Sequence, residues 1–298
     1  MCGIVGLYLK NNELQNQLGK LFMPMLSLMG DRGPDSSGFA VYRGNNKENN
    51  KIILYSSNKN YEWSNFKNEL KNKFKSNFAI SHIYTHAILE MKVESKTFRE
   101  WMTVSFPELR IMSIGNTLEI YKEVGMPEEV MERFNVSQMS GSHMIGHTRM
   151  ATESAVTTEG AHPYNTGDDL CLVHNGSLSN HNDLKRWLEK EKGIIFQTEN
   201  DTEVAAAYLA YKINEGSSLV EALESSIEDL DGFYTFTVGT KSGFAVLRDP
   251  IACKPAVLAE TDDWVAMASE YRAISRLPNV VAAKVWEPKP GKIYSWGD

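Results

Sequence analysis

Cysteine is scarce and unpaired in this chain. Cys2, Cys171 and Cys253 are odd in number, far apart and free of any CxxC spacing, which excludes a disulfide framework and a cysteine-rich metal site. Long apolar runs are missing as well. The opening MCGIVGLYLKNNE has too short an apolar stretch and no basic lead, so it fits neither a secretory signal nor a membrane span, and a cytoplasmic location is expected. Nor is there an excess of positive charge: 31 Lys+Arg against 38 Asp+Glu give a formal net charge of -7. That balance argues against attraction of the whole molecule to nucleic acid or to an anionic membrane and leaves small molecules or proteins as partners.

What is present is a mixed composition over 298 residues, enough for one sizeable core or two modest ones. IVGLY reads as a short strand. A helical stripe follows, with Leu14, Leu18, Leu21, Phe22, Met25 and Met29 at spacings of three and four and Pro24 predicted to kink it. Gly30 ends that helix, and DRGPDSSG makes a turn-rich loop into the strand FAVYR. The stretch from about 43 to 78 is dominated by Asn, Lys and Ser and reads as a solvated polar excursion carrying one surface helix, with Lys67, Lys71, Lys73 and Lys75 as its wet face.

Between Ala79 and Met139 the strand-like runs FAISHIYTHAIL, LRIMSIG and LEIYKEVG alternate with a short helical stretch after Pro127. Three helices are predicted next: NDLKRWLEKEK closed by Gly193, DTEVAAAYLAYKI opening near Asp201, and SLVEALESSIEDL capped by Ser217 or Ser218. The strands GFYTFTVG, GFAVLRDP, PAVLAE and WVAMASE then lead to a closing KPGKIYSW. This order predicts an α+β fold of two antiparallel sheets with helices outside.

Cys2 carries the chemical interest. A small second residue permits removal of Met1, and one amino acid then supplies both a thiol and a free α-amine, whose ordinary pKa of about 7.7–8.0 suits a general base near neutrality. Nucleophile and base become a single residue, as in N-terminal threonine enzymes. Each other candidate has a plain structural reading beside its functional one: Arg149 as a surface ion-pair partner, Asn175 and Gly176 as a tight hairpin turn, Asp201 as a helix N-cap, and Cys2 itself as an inert thiol. His82 and His86 are spaced i, i+4, but no Glu of an HExxH motif accompanies them and their flanks read as strand, so zinc is not predicted. Cys171 in LCLVH reads as a small core residue, Cys253 as structural or incidental, and His147 and His174 as residues that orient loops.

MCGIVG, RGPDSSG, GHTRMAT, AHPY, LVHNGSLSN, NDTE, LRDP and ASE occur in the order seen in class II glutamine amidotransferases, which the chain resembles from residue 1 to about 275, apart from the region around 45–140. The resemblance implies the four-layer αββα sandwich of N-terminal nucleophile hydrolases. It also implies a single domain over 1–298, with the polar excursion at about 43–78 and a family-specific insertion to about 140. By the same resemblance Cys2 is the nucleophile, Asn175 and Gly176 form the oxyanion hole, Arg149 clamps the glutamine α-carboxylate, Asp201 pairs with its α-ammonium, and Arg32 supports the nucleophile. The residue types suit those roles, since two neutral donors stabilise an oxyanion and a guanidinium fork matches a carboxylate. Met150 and Glu153 stand where better-known members carry an aromatic and a polar residue.

No stretch after the last strands resembles a synthase, so the acceptor of the ammonia is expected on a partner. The chain is similar to the separate glutaminase-like subunit of N-methylglutamate synthase and, next, of archaeal-type glutamate synthase. That resemblance implies L-glutamine as substrate, no cofactor or metal in this chain, and a hetero-oligomer whose other subunits carry FMN and iron–sulfur clusters. The rival expectations are an N-terminal nucleophile amidase acting on another amide, and a catalytically silent subunit that keeps Met1.

Overall fold

The computed structural model describes residues 2–44, 48–151 and 155–297; the fate of Met1 and the environment of Glu153 lie outside the described residues. The chain opens with β1 (Gly3–Leu9), α1 (Leu18–Ser27) and β2 (Ser36–Tyr42), and Pro24 sits inside α1. It continues through β3 (Asn50–Ser56), α2 (Trp63–Phe74), β4 (Phe78–Ile83), β5 (His86–Met91), α3 (Ser95–Ser105) and β6 (Leu109–Gly115). Next come β7 (Leu118–Val124), α4 (Pro127–Arg133), β8 (His143–Arg149), β9 (Tyr164–Gly167) and β10 (Leu170–Leu178). Three helices, α5 (His181–Lys192), α6 (Asp201–Asn214) and α7 (Leu219–Asp229), precede β11 (Gly232–Gly239) and β12 (Phe244–Arg248). The chain ends through β13 (Val257–Glu260), β14 (Trp264–Ala268), α8 (Tyr271–Ile274), β15 (Lys284–Trp286) and β16 (Ile293–Trp296).

Two antiparallel sheets face each other. The first has the order β15-β13-β14-β1-β8-β2-β7 and the second β16-β12-β11-β10-β9. Their inner faces meet where a Cβ on Gly6 of β1 would touch Thr237 of β11 and Phe244 of β12, and where Thr237 lies 3.4 Å from the Met267 sulfur. Cys171 lies between the sheets, its thiol 3.3 Å from the Tyr42 hydroxyl and pushed up to about 12 by burial, so it is the core residue that its alternating run predicts. α1 covers the outside of the first sheet: a Cβ on Gly146 of β8 would strike Phe22 and Leu26. α6 covers the outside of the second, with Val204, Ala207 and Tyr208 in one apolar cluster with Leu172 and Phe236. These are the four layers, αββα, that the sequence predicts.

The helix signals also hold. Gly193 closes α5 at φ +65, Asn200 rather than Asp201 is the N-cap of α6, and Ser218 forms a capping box with Glu221 on α7.

The excursion differs from its reading. α2 is present, but β3 lies at the heart of a third antiparallel sheet, β4-β5-β3-β6, with a separate core that includes Ile52, Leu54, Phe66, Leu70, Leu89 and Phe98. FAISHIYTHAIL is a hairpin rather than one strand, turning at Tyr84 with φ +54, and it puts His82 and His86 on different strands. Asp169, in the turn between β9 and β10, ties this sheet to the second: its N–H donates to Ile114 O of β6 at 3.1 Å, and its carboxylate accepts from the backbone N–H groups of Asn116, Thr117 and Leu118 where β6 passes into β7.

Candidate active site

Cys2 immediately precedes β1, the central strand of the first sheet. β1 pairs with β8 in the register Gly3↔Thr148, which runs on toward Cys2 and Arg149 at the same edge. A Cβ on Gly3 would lie 2.7 Å from both Met29 Cβ and Thr148 Oγ1, so only glycine lets the strand start this close to Met29, two residues past α1, and to β8. The Ser269 hydroxyl accepts from Ile4 N–H at 2.9 Å and fixes the first turn of the backbone after the thiol.

Two side chains converge on the Cys2 carbonyl: Arg32 Nε donates at 3.0 Å and Asn175 Nδ2 at 3.3 Å. Arg32 is in turn held by Glu270, Nη1 to Oε1 at 2.6 Å, and Glu270 also takes Arg272 Nε at 2.7 Å. The Arg32 hydrogen bond, with both guanidinium charges nearby, holds the Glu270 carboxyl below the usual range. Glu270 and Ser269 belong to ASE, a motif visible in the sequence without a role attached; the structure makes them the braces of Arg32 and of β1. The loop of Arg32 crosses β8 at close range, since a Cβ on Gly33 would come 2.4 Å from the Thr148 carbonyl carbon.

Asn175 and Gly176 lie near the end of β10. Gly176 is not a hairpin turn: it is paired with Tyr234 inside the ladder, and a Cβ there would sit 2.0 Å from the Phe233 carbonyl oxygen and 2.7 Å from His174 Nε2. Two residues further on, Leu178 N–H donates to Asp201 Oδ2 at 3.0 Å, while Asp201 Oδ1 is 3.6 Å from His174 Nδ1. Burial alone would raise the Asp201 pKa, yet the His174 ring and the Leu178 N–H outweigh it and hold the carboxyl at about 2. Asp201 is therefore an anion at every working pH, on the first turn of α6, with part of its carboxylate still open to solvent.

Arg149 ends β8 and is 6 % exposed, its Nη1 donating to Ala155 O at 3.4 Å. Met150 beside it is 42% exposed.

Beneath these groups lie three histidines. His147 stacks on His162, ring centroids 4.0 Å apart at 12°. His147 Nε2 is 3.0 Å from the His174 carbonyl, which can only accept, so this ring carries its proton on Nε2. Thr202 Oγ1 lies 3.0 Å from His174 Nδ1 and 3.4 Å from His162 Nε2. Burial pushes His147 down to about 3 and His162 well below its ordinary value. The His147 and His162 rings are neutral struts.

The same burial sets the acid stability. His86 and His143 are also pushed down to about 3 by burial. Between pH 6.5 and about 3 the unfolded chain binds these protons and the native chain does not, so the stability they contribute is complete above the unfolded pKa of 6.5 and falls as pH drops toward 3. Urea unfolding at several pH values should give a stability that rises steeply with pH from about 4 to about 6.5 and then only with the shallower, one-proton slope of the buried Lys122, which is held at about 7. The linkage slope should approach three to four protons at its steepest, from these histidines and His162.

Comparison with known proteins gives the family and the fold. Residues 147–276 match the family model described as a glutamine amidotransferase domain. Over 298 residues the chain is 52% identical to the glutamine amidotransferase-like protein GlxB of Rhizobium meliloti (strain 1021), covering 99% of this chain and 98% of that protein. It is 33% identical over 304 residues to a putative glutamine amidotransferase of Methanothermobacter thermautotrophicus, covering 98% of both. Among solved structures it superposes on the glutamine phosphoribosylpyrophosphate amidotransferase of B. subtilis with a TM-score of 0.63 at 22% identity, covering 100% of this chain and 47% of that one, a likeness of fold.

Proposed function

Because this chain belongs to the class II glutamine amidotransferase family, we propose that it hydrolyses L-glutamine to glutamate and ammonia through a thioester on Cys2, exposed as the N-terminal residue. The observation that carries the reading is the convergence of Asn175 and Arg32 on the Cys2 carbonyl, which fixes the backbone of the nucleophile beside an amide donor.

In this mechanism the Cys2 α-amine takes the thiol proton and the thiolate attacks the glutamine δ-carbonyl carbon. Asn175 Nδ2 has two N–H groups: one holds the Cys2 carbonyl, and the other, together with the Gly176 N–H, meets the oxyanion. As the C–N bond breaks, the ammonium of Cys2 returns its proton to the leaving nitrogen. Water, deprotonated by the same amine, then cleaves the thioester and restores the thiol. Arg149 receives the α-carboxylate and Asp201 the α-ammonium, and the depressed pKa of Asp201 keeps that charge available. No metal enters these steps.

The ammonia goes to an acceptor on another subunit in this reading, within a hetero-oligomer of the glutamate synthase or N-methylglutamate synthase type whose synthase subunits hold FMN and iron–sulfur clusters. The support for that assignment is the sequence resemblance of this chain to the glutaminase-like subunits of such complexes.

A glutamine titration of the Arg149→Ala and Asp201→Asn proteins tests the substrate. Each loses a charge-assisted contact, and KM should rise about 10–100-fold with a smaller change in kcat. An unchanged KM in both would transfer the support to an amidase that reads some other amide.

A further inference from the structure

On β7, buried under the site, Lys122 is 3% exposed. An ammonium has three donors and no acceptor, and burying it is tolerated only when its donors are met. Here three backbone carbonyls of one short segment meet them: Glu159 O at 3.1 Å, Ala161 O at 2.7 Å and Pro163 O at 3.2 Å. The Tyr164 ring centroid, 4.3 Å from Nζ, adds a cation–π contact. The segment lies directly on the sheet, for Gly38, paired with Lys122, has His162 O at 2.2 Å from where its Cβ would be. The neighbouring Glu123 anchors the start of the same segment: its Oε1 accepts from the Thr158 hydroxyl and its Oε2 from Thr85 Oγ1 at 3.1 Å, at the β4–β5 turn.

The other side of the segment meets the site. His162 stacks on His147, two residues before Arg149, and its Nε2 approaches Thr202, next to Asp201. The Ala155 carbonyl, just ahead of the segment, accepts from Arg149. Resting on the glutamine reading above, we propose that Lys122 is a positioning residue for glutamine binding: by gathering the carbonyls of residues 159–163 it sets the seat on which both Arg149 and Asp201 are aligned.

A merely structural lysine would lower stability and nothing else; this one is expected to move KM. The charged and titratable groups around it are Glu203 and Glu159, which favour its charged form, Arg149, which opposes it, His86 and His162, whose protonation it disfavours, and Arg110, which lines the same small cavity. Burial brings the ammonium down to about 7. Above that pH Nζ retains two N–H groups for three carbonyls, and one carbonyl faces a lone pair. Glutamine KM should therefore rise with pH through about 7. The Cys2 amine loses its proton in the same direction and raises kcat, so the two titrations separate into different parameters.

The test is the pH dependence of KM and kcat for the wild-type protein from about pH 6 to about pH 8, alongside Lys122→Met and Thr158→Val. The wild type should show the KM step. Lys122→Met should have KM raised about tenfold at the acid end, no step, and nearly unchanged kcat. Thr158→Val, which loosens the segment at Glu123, should raise KM while leaving the step in place, and it carries the test with the wild-type profile if Lys122→Met does not fold. A wild type that is alkylated at Cys2 by a glutamine-mimicking electrophile yet shows a flat KM overturns the role of Lys122 alone, as does a Lys122→Met protein that loses kcat with KM unchanged. A wild type that is not alkylated at all overturns the glutaminase reading and this inference with it.

Discussion

Cys2→Ala protein should release ammonia from glutamine no faster than background, a loss on the order of 10⁴–10⁶ in kcat/KM, the scale on which enzymes lose activity with their nucleophile. No other thiol stands in for it. Cys171 is sealed between the two sheets with its thiol pushed up to about 12, and Cys253 is an exposed loop residue. The variant keeps its fold, because Arg32 and Asn175 grip the Cys2 carbonyl and Ser269 grips Ile4 N–H, none of them the sulfur. An ammonia assay beside a thermal melt separates the two effects: activity disappears while the melting temperature stays within a few degrees. Ammonia release that survives in Cys2→Ala would remove the thioester from the mechanism.

Asn175→Ala should lower kcat by about 10²–10³, the usual consequence of removing one oxyanion donor, and alter KM little. Asn175 is 2% exposed at the point where β10 meets the start of β1, and its Nδ2 is the group of the second sheet that touches the nucleophilic residue. Its loss leaves Arg32 alone on the Cys2 carbonyl, so the backbone is still held and the deficit falls on the transition state. Asn175→Asp should be at least as severe, because it offers a carboxylate oxygen to a developing negative charge. If either variant raised KM and spared kcat, Asn175 would be a substrate contact instead.

Much of this is legible in the sequence, for identifiable reasons. Helices α5, α6 and α7 carry local signals, Gly193, Asn200 and Ser218, that do not depend on the rest of the fold. Cys2, Asn175, Gly176, Arg149, Asp201 and Arg32 come from motifs far apart in the chain, and the structure gathers them where the ends of β1, β8 and β10 meet. Their roles remain those proposed above. The third sheet reads as a polar excursion because Asn and Lys dominate the surroundings of β3, while its apolar residues, Ile52, Ile53 and Leu54, form too short a run to announce a central strand. Helix α3 escapes the sequence reading for a similar reason: only Phe98 and Met102 of its eleven residues are buried. Glu270 and Lys122 are invisible as site residues, since their partners, Arg32 and three carbonyls of 159–163, are set by tertiary contact and leave no spacing in the sequence. Among the described residues no helix is long and apolar enough to cross a membrane.

The central claim is that Cys2 is an N-terminal nucleophile for glutamine. It is tested most directly by the intact mass of the native protein before and after 6-diazo-5-oxo-norleucine, with peptide mapping of the adduct. A mass lacking Met1 and a single adduct on Cys2 is the predicted result; retained Met1 and no adduct would contradict it and leave a silent subunit.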